Sequence, residues 1–325
     1  MQRLPPRTDA KGTLPLNTPE YFRRFPIIQT SSQAILMRQN MPLWAVQKSG
    51  ATTFSRIGIV KRRQLFEFTE IPWWPEVLRC LLTDFLHTLI EDKQPFSPKV
   101  SLIVQALRAT NQDRVIDLCS GNIGPWLHLT EQLRNEYGKD VDVLLTDKFP
   151  NATAPMKVAS IEGLECHPDS IDALNVPDEL KGARTLFNGL HHFDPKGAQG
   201  IIDDAVKSNQ AIVVFELLQR TSLDVFVALL GPLAVLLFTP LVRPLSLSRL
   251  LFTYVIPIAP LVMTWDGLVS RLRCYTPGEL RAMARRAGGE HYEWHIGTYR
   301  HQLIPVTYMV GYPRVETSKP LQMPG

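Results

Sequence analysis

The chain has 325 residues, enough for one elaborated domain or two small ones, and its 45% hydrophobic and 20% charged residues are typical of a folded globular protein. The net charge is only +4, and no basic stripe with interleaved aromatics is visible, so we expect no nucleic-acid partner. The cysteines Cys80, Cys119, Cys166 and Cys274 form no CxxC pair. We therefore predict reduced thiols in a cytoplasmic protein, with neither a disulfide framework nor a metal site.

The first 110 residues follow no single pattern. Residues 1–20 are polar and proline-rich and predict a flexible tail. Residues 21–110 are predicted to form a segment that caps the substrate site. Within that segment, 52–70 shows strand-like alternation, whereas 72–91 and 99–108 carry the spacing of helices.

From residue 111 onward, short apolar strands alternate with helices. Strands are predicted at 115–118, 141–146, 184–188 and 211–217, with another near 170–173. A helix is predicted over 124–137, and Asp194 is placed to cap another that has Pro195 at its first position. This alternation predicts a doubly wound α/β sheet, with its main body in 111–221.

The chain returns to the sheet after an apolar insertion at 222–265. Thr276 to Glu279 is a capping box that begins a helix ending near Ala287. Two strands, about 291–298 and 303–311, are predicted to form an antiparallel hairpin at the sheet edge. We assign 266–312 to the core and 313–325 to a tail.

The segment Asp117 to Gly124 lies between the first strand and its helix. Nucleotide-like ligands bind at the carboxyl ends of such strands, near the helix N-terminus. Small residues are needed there because the backbone must approach the ligand closely. The alternative is an ordinary turn that contains two glycines.

Three further motifs follow at the ends of later elements. Asp147 ends the second strand and is placed to accept hydrogen bonds from ribose hydroxyls; alternatively it is a solvated turn residue or a helix cap. Asp172 and Ala173 are predicted to contact an adenine amino group. Asn188 to Phe193 follows the next predicted strand.

These four motifs, in this order, resemble the motifs of class I (Rossmann-like) S-adenosylmethionine-dependent methyltransferases over roughly 110–220 and 265–312. The resemblance implies a seven-stranded sheet with helices on both faces and a reversed terminal hairpin, S-adenosyl-L-methionine as the cofactor, and methyl transfer as the activity. It implies that Gly121 and Gly124 approach the methionine part, Asp147 holds the ribose and Asp172 contacts the adenine. The other cofactor-binding residues that we predict are Asp117, Cys119, Ser120, Lys148, Ala173 and Asn188.

The glycine-rich loop departs from the family's Asp-x-Gly-x-Gly-x-Gly pattern. Cys119 and Ile123 stand at the first and third glycine positions. Cysteine is small, but isoleucine is β-branched, and we expect position 123 to avoid a positive φ. A Rossmann dehydrogenase, with Gly-x-Gly-x-x-Gly, fits less well.

Three residues are the candidates for catalysis. His191 and His192 are predicted as general bases because histidine removes protons near neutral pH, and Glu216 ends the fifth strand beside the same pocket. The alternative for the histidines is a structural role at the strand end. Asp266 and Tyr275 are weaker pocket candidates.

Two uncharged runs, 225–242 and 250–265, dominate the insertion. They leave three alternatives: a hairpin that dips into a membrane, a lid over an apolar substrate pocket, or core packed against the N-terminal helix with Trp73 and Trp74. The positive-inside tendency would place Arg243 and Arg249 on the cytoplasmic side.

The sequence therefore predicts a methyltransferase that acts on a small, apolar or lipid-like acceptor, associated with a membrane through 225–265 in the first alternative. The second hypothesis is a membrane-associated protein that binds S-adenosylmethionine without turnover, because Cys119 and Ile123 depart from the family pattern.

Overall fold

A computed structural model describes residues 58–314, except 72, 122, 139, 151–153, 243–244, 289 and 303. These residues belong to one compact unit, Ile57–Gly325. The predicted tail at 1–20, the N-terminal segment up to residue 57 and the tail beyond residue 314 lie outside the described residues.

Seven strands form one sheet in the order β3-β2-β1-β4-β5-β7-β6. They are β1 Arg114–Leu118, β2 Asp142–Thr146, β3 Leu164–Cys166, β4 Ala183–Phe187, β5 Ile212–Glu216, β6 Tyr292–His301 and β7 Ile304–Pro313. The first five are parallel, whereas β7 is antiparallel to both β5 and β6. This order confirms the predicted Rossmann-like sheet with a reversed terminal hairpin.

The helices connect and cover these strands. They are α1 Glu76–Lys93, α2 Ser101–Thr110, α3 Trp126–Tyr137, α4 Ala154–Val158, α5 Pro195–Lys207, α6 Ser222–Ala228, α7 Gly231–Phe238, α8 Leu247–Leu250, α9 Ile258–Arg273 and α10 Pro277–Ala287. Helix α5 begins as predicted, because the Asp194 side chain accepts a hydrogen bond from Gly197 N at 2.7 Å. Helix α10 begins at the predicted capping box of Thr276 and Glu279.

Two apolar layers cover the two faces of the sheet. Val115 and Val143 pack with the side chains of α2 and α3, whereas Ile116 and Leu144 pack with those of α5 and α10. Successive residues of a strand point to opposite faces, so the uninterrupted apolar strands serve both layers at once. The predicted arrangement with helices on both faces is confirmed.

The strand predicted near 170–173 is wrong, because β3 lies earlier, at Leu164–Cys166. Pro168 follows β3 closely and has no backbone N–H to continue the ladder. Residues 170–173 form a loop instead, in which Asp172 accepts a hydrogen bond from Leu174 N at 3.0 Å. This loop still reaches the end of β2, because Ile171 N donates to Asp147 O at 3.0 Å.

The strand-like alternation at 52–70 also does not form a strand in its described part. Residues 60–67 have no regular structure, Phe68–Glu70 is a 3₁₀ turn, and one isolated bridge joins Ile59 to Thr221. We refer to Leu65–Glu70 as the N-terminal strip. Side-chain hydrogen bonds to α9 hold it in place: Asp266 accepts from Phe68 N at 2.8 Å and from Thr69 N at 3.2 Å.

The insertion consists of short, bent helices. Within the described residues, no single helix has both the length and the apolar composition to cross a bilayer. Two bent pairs meet these criteria only together: Ser222–Ala228 with Gly231–Leu241, at 49°, and Leu247–Val255 with Ile258–Arg273, at 81°.

Arg249 does not mark the cytoplasmic side as the positive-inside argument supposed. It is buried, and its guanidinium contacts the carboxylate of Asp84 at 2.6 Å. A charge paired inside the protein says nothing about the side of a membrane. Arg243 lies outside the described residues.

Many large apolar side chains of the insertion are nevertheless exposed. We call the following set the apolar surface: Phe226, Leu230, Leu233, Leu237, Leu247, Val255, Ile256 and Leu261. The prediction that this segment is core therefore does not hold for these exposed residues, whereas Val235, Val242 and Ala259 of the same insertion are buried and lie beside Leu81 and Phe85 of α1.

Candidate active site

The turn between β1 and α3 is built from left-handed residues. The φ angles of Cys119, Gly121, Ile123 and Gly124 are 59°, 56°, 86° and 61°. The expectation that Ile123 avoids a positive φ is therefore wrong. Its side chain is only 1% exposed and packs in the core with Trp126. Burying an isoleucine contributes about 1.5 to 3 kcal/mol, which is comparable to the backbone strain of about 1 to 3 kcal/mol.

Asp147 fixes this turn from the end of β2. Its Oδ2 accepts a hydrogen bond from Gly121 N at 2.8 Å, and its Oδ1 accepts one from Phe149 N at 2.8 Å. The half-buried carboxylate therefore contacts the glycine loop, which is where an acid that holds a ligand beside that loop would lie.

Lys148 and Asp172 join the ends of the two neighbouring loops. Lys148 Nζ lies 2.8 Å from Asp172 Oδ2 on the protein surface. The hydrogen bonds from Lys148 and from Leu174 N lower the pKa of Asp172, so this carboxyl stays ionised. The pair brings both predicted residues to the carboxyl edge of the sheet.

A cleft of about 360 Å³ opens at this edge, at the ends of β1, β2 and β3. A volume of this size falls in the range of ligand pockets. Its lining includes the predicted residues Ser120, Gly121 and Asp147. The lining also includes Ile123, which sequence analysis placed in the glycine-rich loop. The residues that it missed are Leu145, Thr146, Pro150, Ala154, Pro155, Cys166, His167 and Pro168. The misplaced third strand hid the last three, since they follow directly from the true end of β3.

Two of the predicted cofactor-binding residues, Asp117 and Ser120, are buried and form hydrogen bonds within the protein. Asp117 is 1% exposed, and its Oδ1 accepts a hydrogen bond from the Thr185 hydroxyl at 2.6 Å. Burial raises the pKa of Asp117 to about 7. Ser120 Oγ donates to Asp117 O and accepts from Thr146 N, so this hydroxyl is used within the protein.

Three other predicted residues, Cys119, Ala173 and Asn188, do not line the cleft. Ala173 is buried in the second apolar layer. Asn188 has a φ of 54°, and its Oδ1 accepts a hydrogen bond from Leu217 N at 2.8 Å. Gly189 approaches Cys119 so closely that a Cβ at Gly189 would lie 3.2 Å from Cys119 Cβ.

His191 and Glu216 form a buried pair. His191 Nδ1 lies 2.6 Å from Glu216 Oε2, and His191 N donates to Glu216 Oε1 at 3.2 Å. The two side chains are only 5% and 4% exposed. Because a carboxylate only accepts hydrogen bonds, Nδ1 is the donor of this bond, and Nε2 is the ring nitrogen that Glu216 does not engage.

His192 belongs to a second network, which joins it to the N-terminal strip. Its Nδ1 lies 2.8 Å from Glu70 Oε1 and 4.0 Å from Glu67 Oε2. Burial acts to raise the pKa of Glu70, but hydrogen bonds from His192 and Arg273 outweigh it and lower the pKa to about 2. The rings of His191 and His192 lie 4.3 Å apart, so the two networks adjoin.

The weaker candidates Asp266 and Tyr275 have structural partners. Asp266 accepts the backbone hydrogen bonds of the strip described above. The Tyr275 hydroxyl donates to Phe193 O at 2.8 Å, and the Arg62 guanidinium lies 4.4 Å from the centre of its ring.

Two groups in the described part of the chain have metal-ligand chemistry. Ligand atoms of Glu67, His191 and His192 lie within 4.8 Å of one another, as do those of His191, Glu216 and Cys274. However, His191 Nδ1 is bonded to Glu216, Arg273 pairs with Glu67 at 3.2 Å, and burial raises the pKa of the Cys274 thiol far above its usual value. We therefore assign these residues to hydrogen-bond networks rather than to a metal.

Comparison with known proteins gives matches only among solved structures, since no family model and no curated protein sequence matches the chain. The chain is similar to human N-acetylserotonin methyltransferase in complex with SAM, with 14% identity, 74% of this chain and 56% of that chain covered, and a TM-score of 0.41. LepI in complex with SAM has 19% identity, with 62% of this chain and 42% of that chain covered and a TM-score of 0.35. The mitomycin 7-O-methyltransferase MmcR has 13% identity, with 67% of this chain and 54% of that chain covered and a TM-score of 0.38.

The chain spans about half of the length of these structures. Similarity this low carries no weight for the activity. The fold of this chain is established by its own strand order, with five parallel strands followed by an antiparallel pair: it is a Rossmann-like seven-stranded α/β fold.

Proposed function

We propose that the protein binds S-adenosyl-L-methionine at the carboxyl ends of β1 to β3 and transfers its methyl group to a small-molecule acceptor. One observation carries this proposal: positions 119, 121 and 123, where the resembled family has glycines, all adopt the left-handed backbone, although two of them are not glycine. Such backbone strain persists only where the surrounding structure requires it, and it concentrates at ligand sites.

In this proposal the cleft, His191 and Glu216 each have a separate role. The cleft beside Gly121 and Asp147 would hold the adenosyl part, and the cofactor would supply an electrophilic methyl group on a sulfonium. His191 Nε2 would remove the proton from the acceptor as the acceptor attacks. Glu216 would keep the imidazole in the correct tautomer and stabilise its positive charge after that transfer.

Isothermal titration with S-adenosylhomocysteine tests the cofactor part. We expect saturable binding to the wild-type protein and binding at least about tenfold weaker in Asp147→Ala, because the loop loses the carboxylate that holds Gly121 N. Asp178→Ala, which removes an exposed acid from the same half of the chain, is the matched control and is expected to bind normally. A folded wild-type protein that gives no binding heat would overturn the proposal.

We also propose that the protein works in the cytoplasm at a membrane surface. The observation behind this proposal is helix α7: no polar side chain interrupts it from Gly231 to Phe238, yet Leu233 and Leu237 are 58% and 62% exposed. A helix that is apolar on all sides is normally buried in a core or in lipid.

Sedimentation with phosphatidylcholine vesicles tests this association. We expect the wild-type chain to sediment with the vesicles and the double variant Leu233→Glu, Leu237→Glu to bind about tenfold less, since each charge must leave water to enter the bilayer. Met156→Glu introduces one such charge at a residue that is 77% exposed outside the insertion, and it is expected to bind normally. Equal losses in both variants, or a wild-type chain that stays in the supernatant, would exclude the membrane proposal.

The alternative function, binding of S-adenosylmethionine without turnover, remains a distinct hypothesis. It predicts binding of S-adenosylhomocysteine but no labelled product when the protein is given methyl-labelled S-adenosylmethionine and a whole lipid and metabolite extract. A labelled product that depends on Glu216 would exclude it.

A further inference from the structure

A second cleft, of about 500 Å³, lies between the N-terminal strip and α9. Its lining is apolar and largely aromatic: Phe66, Phe68, Trp74, Ile258, Leu261, Val262 and Trp265. The rings are packed against one another, with 5.5 Å between the centres of Phe66 and Trp265 and 4.8 Å between those of Phe68 and Trp74. The cleft is therefore a formed site of ligand size.

The walls of this cleft offer almost no hydrogen-bonding groups to a ligand. Trp265 Nε1 already donates to Phe66 O at 3.0 Å, and Trp74 Nε1, which has no hydrogen-bond partner among the described residues, is buried away from the surface. The acid between the two phenylalanines, Glu67, is bonded to Ser270 at 2.8 Å and paired with Arg273. Water gains little in such a cleft, so it favours an apolar group.

The cleft opens onto the apolar surface of the insertion. Leu261 lines the cleft and is also 65% exposed. Val255 and Ile256, exposed residues of the apolar surface, immediately precede the start of α9, whose first turn contributes Ile258 to the lining. None of these four residues is charged, so an apolar molecule on that surface passes only their apolar side chains on its way to the cleft.

The other side of the strip faces the candidate catalytic residues. Phe66 and Phe68 line the cleft, whereas Glu67 between them lies 4.0 Å from His192. The ring of His192 in turn lies 4.3 Å from that of His191. The strip therefore has the apolar cleft on one side and the two histidines on the other.

We propose that the cleft binds the hydrocarbon portion of a lipid-like methyl acceptor, which enters from the apolar surface and carries its nucleophilic group around the strip toward His191. This inference rests on the proposed methyl transfer and names the acceptor class for it.

Quenching of tryptophan fluorescence by brominated undecanol tests the site, because Trp74 and Trp265 line the cleft and bromine quenches at contact. We expect saturable quenching in the full chain and none with unbrominated undecanol. In Leu261→Glu, a charge at the cleft entrance should weaken the apparent affinity by at least about tenfold. Leu247→Glu, at a residue of the same insertion that is 87% exposed and does not line the cleft, should stay within about twofold of the wild type.

Three results would overturn the proposal. Equal weakening in both variants, or quenching that rises without saturation, would mean general partitioning onto the apolar surface. A full chain that is not quenched would mean that another part of the protein fills the cleft.

Binding of S-adenosylhomocysteine by the same samples separates this inference from the proposed function. We expect Leu261→Glu to bind it normally. Saturable quenching without S-adenosylhomocysteine binding would keep an apolar ligand site but end the methyl-acceptor proposal. The opposite result, cofactor binding without quenching, would end the cleft proposal alone.

Discussion

The carboxyl edge of the sheet and the insertion that follows β5 differ in the side chains they bury: the first buries polar groups, and the second exposes apolar ones. At the sheet edge, acids and histidines are buried but paired, as in His191 with Glu216 and Asp117 with Thr185. In the insertion, apolar side chains such as Leu237 and Val255 are exposed to water. In the first region these buried polar groups are paired within the protein. The second leaves surface that a soluble monomer rarely exposes, and so it indicates an apolar partner.

The largest effect is expected at the polar region. Glu216→Gln keeps the size of the side chain but removes the charge that holds His191 and stabilises its protonated form. We expect kcat to fall about a thousandfold, within the range for general base catalysis, while S-adenosylhomocysteine affinity changes less than twofold. Transfer of labelled methyl groups to a lipid extract measures this loss.

The control for this prediction is Glu70→Gln, which changes the neighbouring pair of Glu70 and His192 instead. We expect it to reduce the rate at most about tenfold. If Glu70→Gln were the more damaging variant, His192 rather than His191 would be the base.

The second prediction concerns Asp117 and asks whether ionising this buried carboxyl lowers the free energy of unfolding. Its pKa is about 7 in the folded protein, against 3.8 for an ordinary aspartate. Between these two values the folded state binds more protons than the unfolded state, so the free energy of unfolding falls as pH rises from about 4 to about 7 and then levels off. Three pKa units correspond to at most about 4 kcal/mol.

Urea unfolding at several pH values measures this dependence. Asp117→Asn removes the titrating group, and we expect the difference in unfolding free energy between wild type and variant to change over that pH window. A constant difference between pH 4 and pH 8 would show that Asp117 is ionised throughout.

Ile123 tests the strain in the glycine loop. Ile123→Ala keeps the positive φ but loses a buried side chain, and we expect it to lower the free energy of unfolding by about 3 kcal/mol. Ile123→Gly loses the same contacts but relieves the backbone, so it should be more stable than the alanine variant by about 1 kcal/mol. Without strain, glycine usually lowers the free energy of unfolding more than alanine does. If Ile123→Ala were the more stable of the two variants, the backbone at position 123 would not be strained.

Most of the sheet could be predicted from local sequence. The apolar runs of β1, β2, β4 and β5 and the capping residues Asp194 and Thr276 specify their elements without help from distant residues. β3 was missed because it has only three residues, Leu164–Cys166, too few for a pattern to be distinctive.

The site was only partly predictable, for a different reason. Asp147 and the glycine loop follow from the order of strands and turns. The partners of the strip do not: Glu70 and His192 are 122 residues apart, and Phe68 and Asp266 are 198 apart. Contacts between such distant residues leave no periodic signal in the chain, so sequence reasoning named His192 as a candidate but could not find the acid that is bonded to it.

The attachment of the N-terminal strip has an evolutionary consequence. A strand in a sheet cannot change length or register without moving its neighbours, but this strip is held by a few side-chain bonds from Asp266, Arg273 and Ser270 on one helix. Side chains of the strip that make none of these bonds can change while the sheet stays the same. Phe66 and Phe68 are two of them, so the lining of the apolar cleft can be altered without any change in the strands.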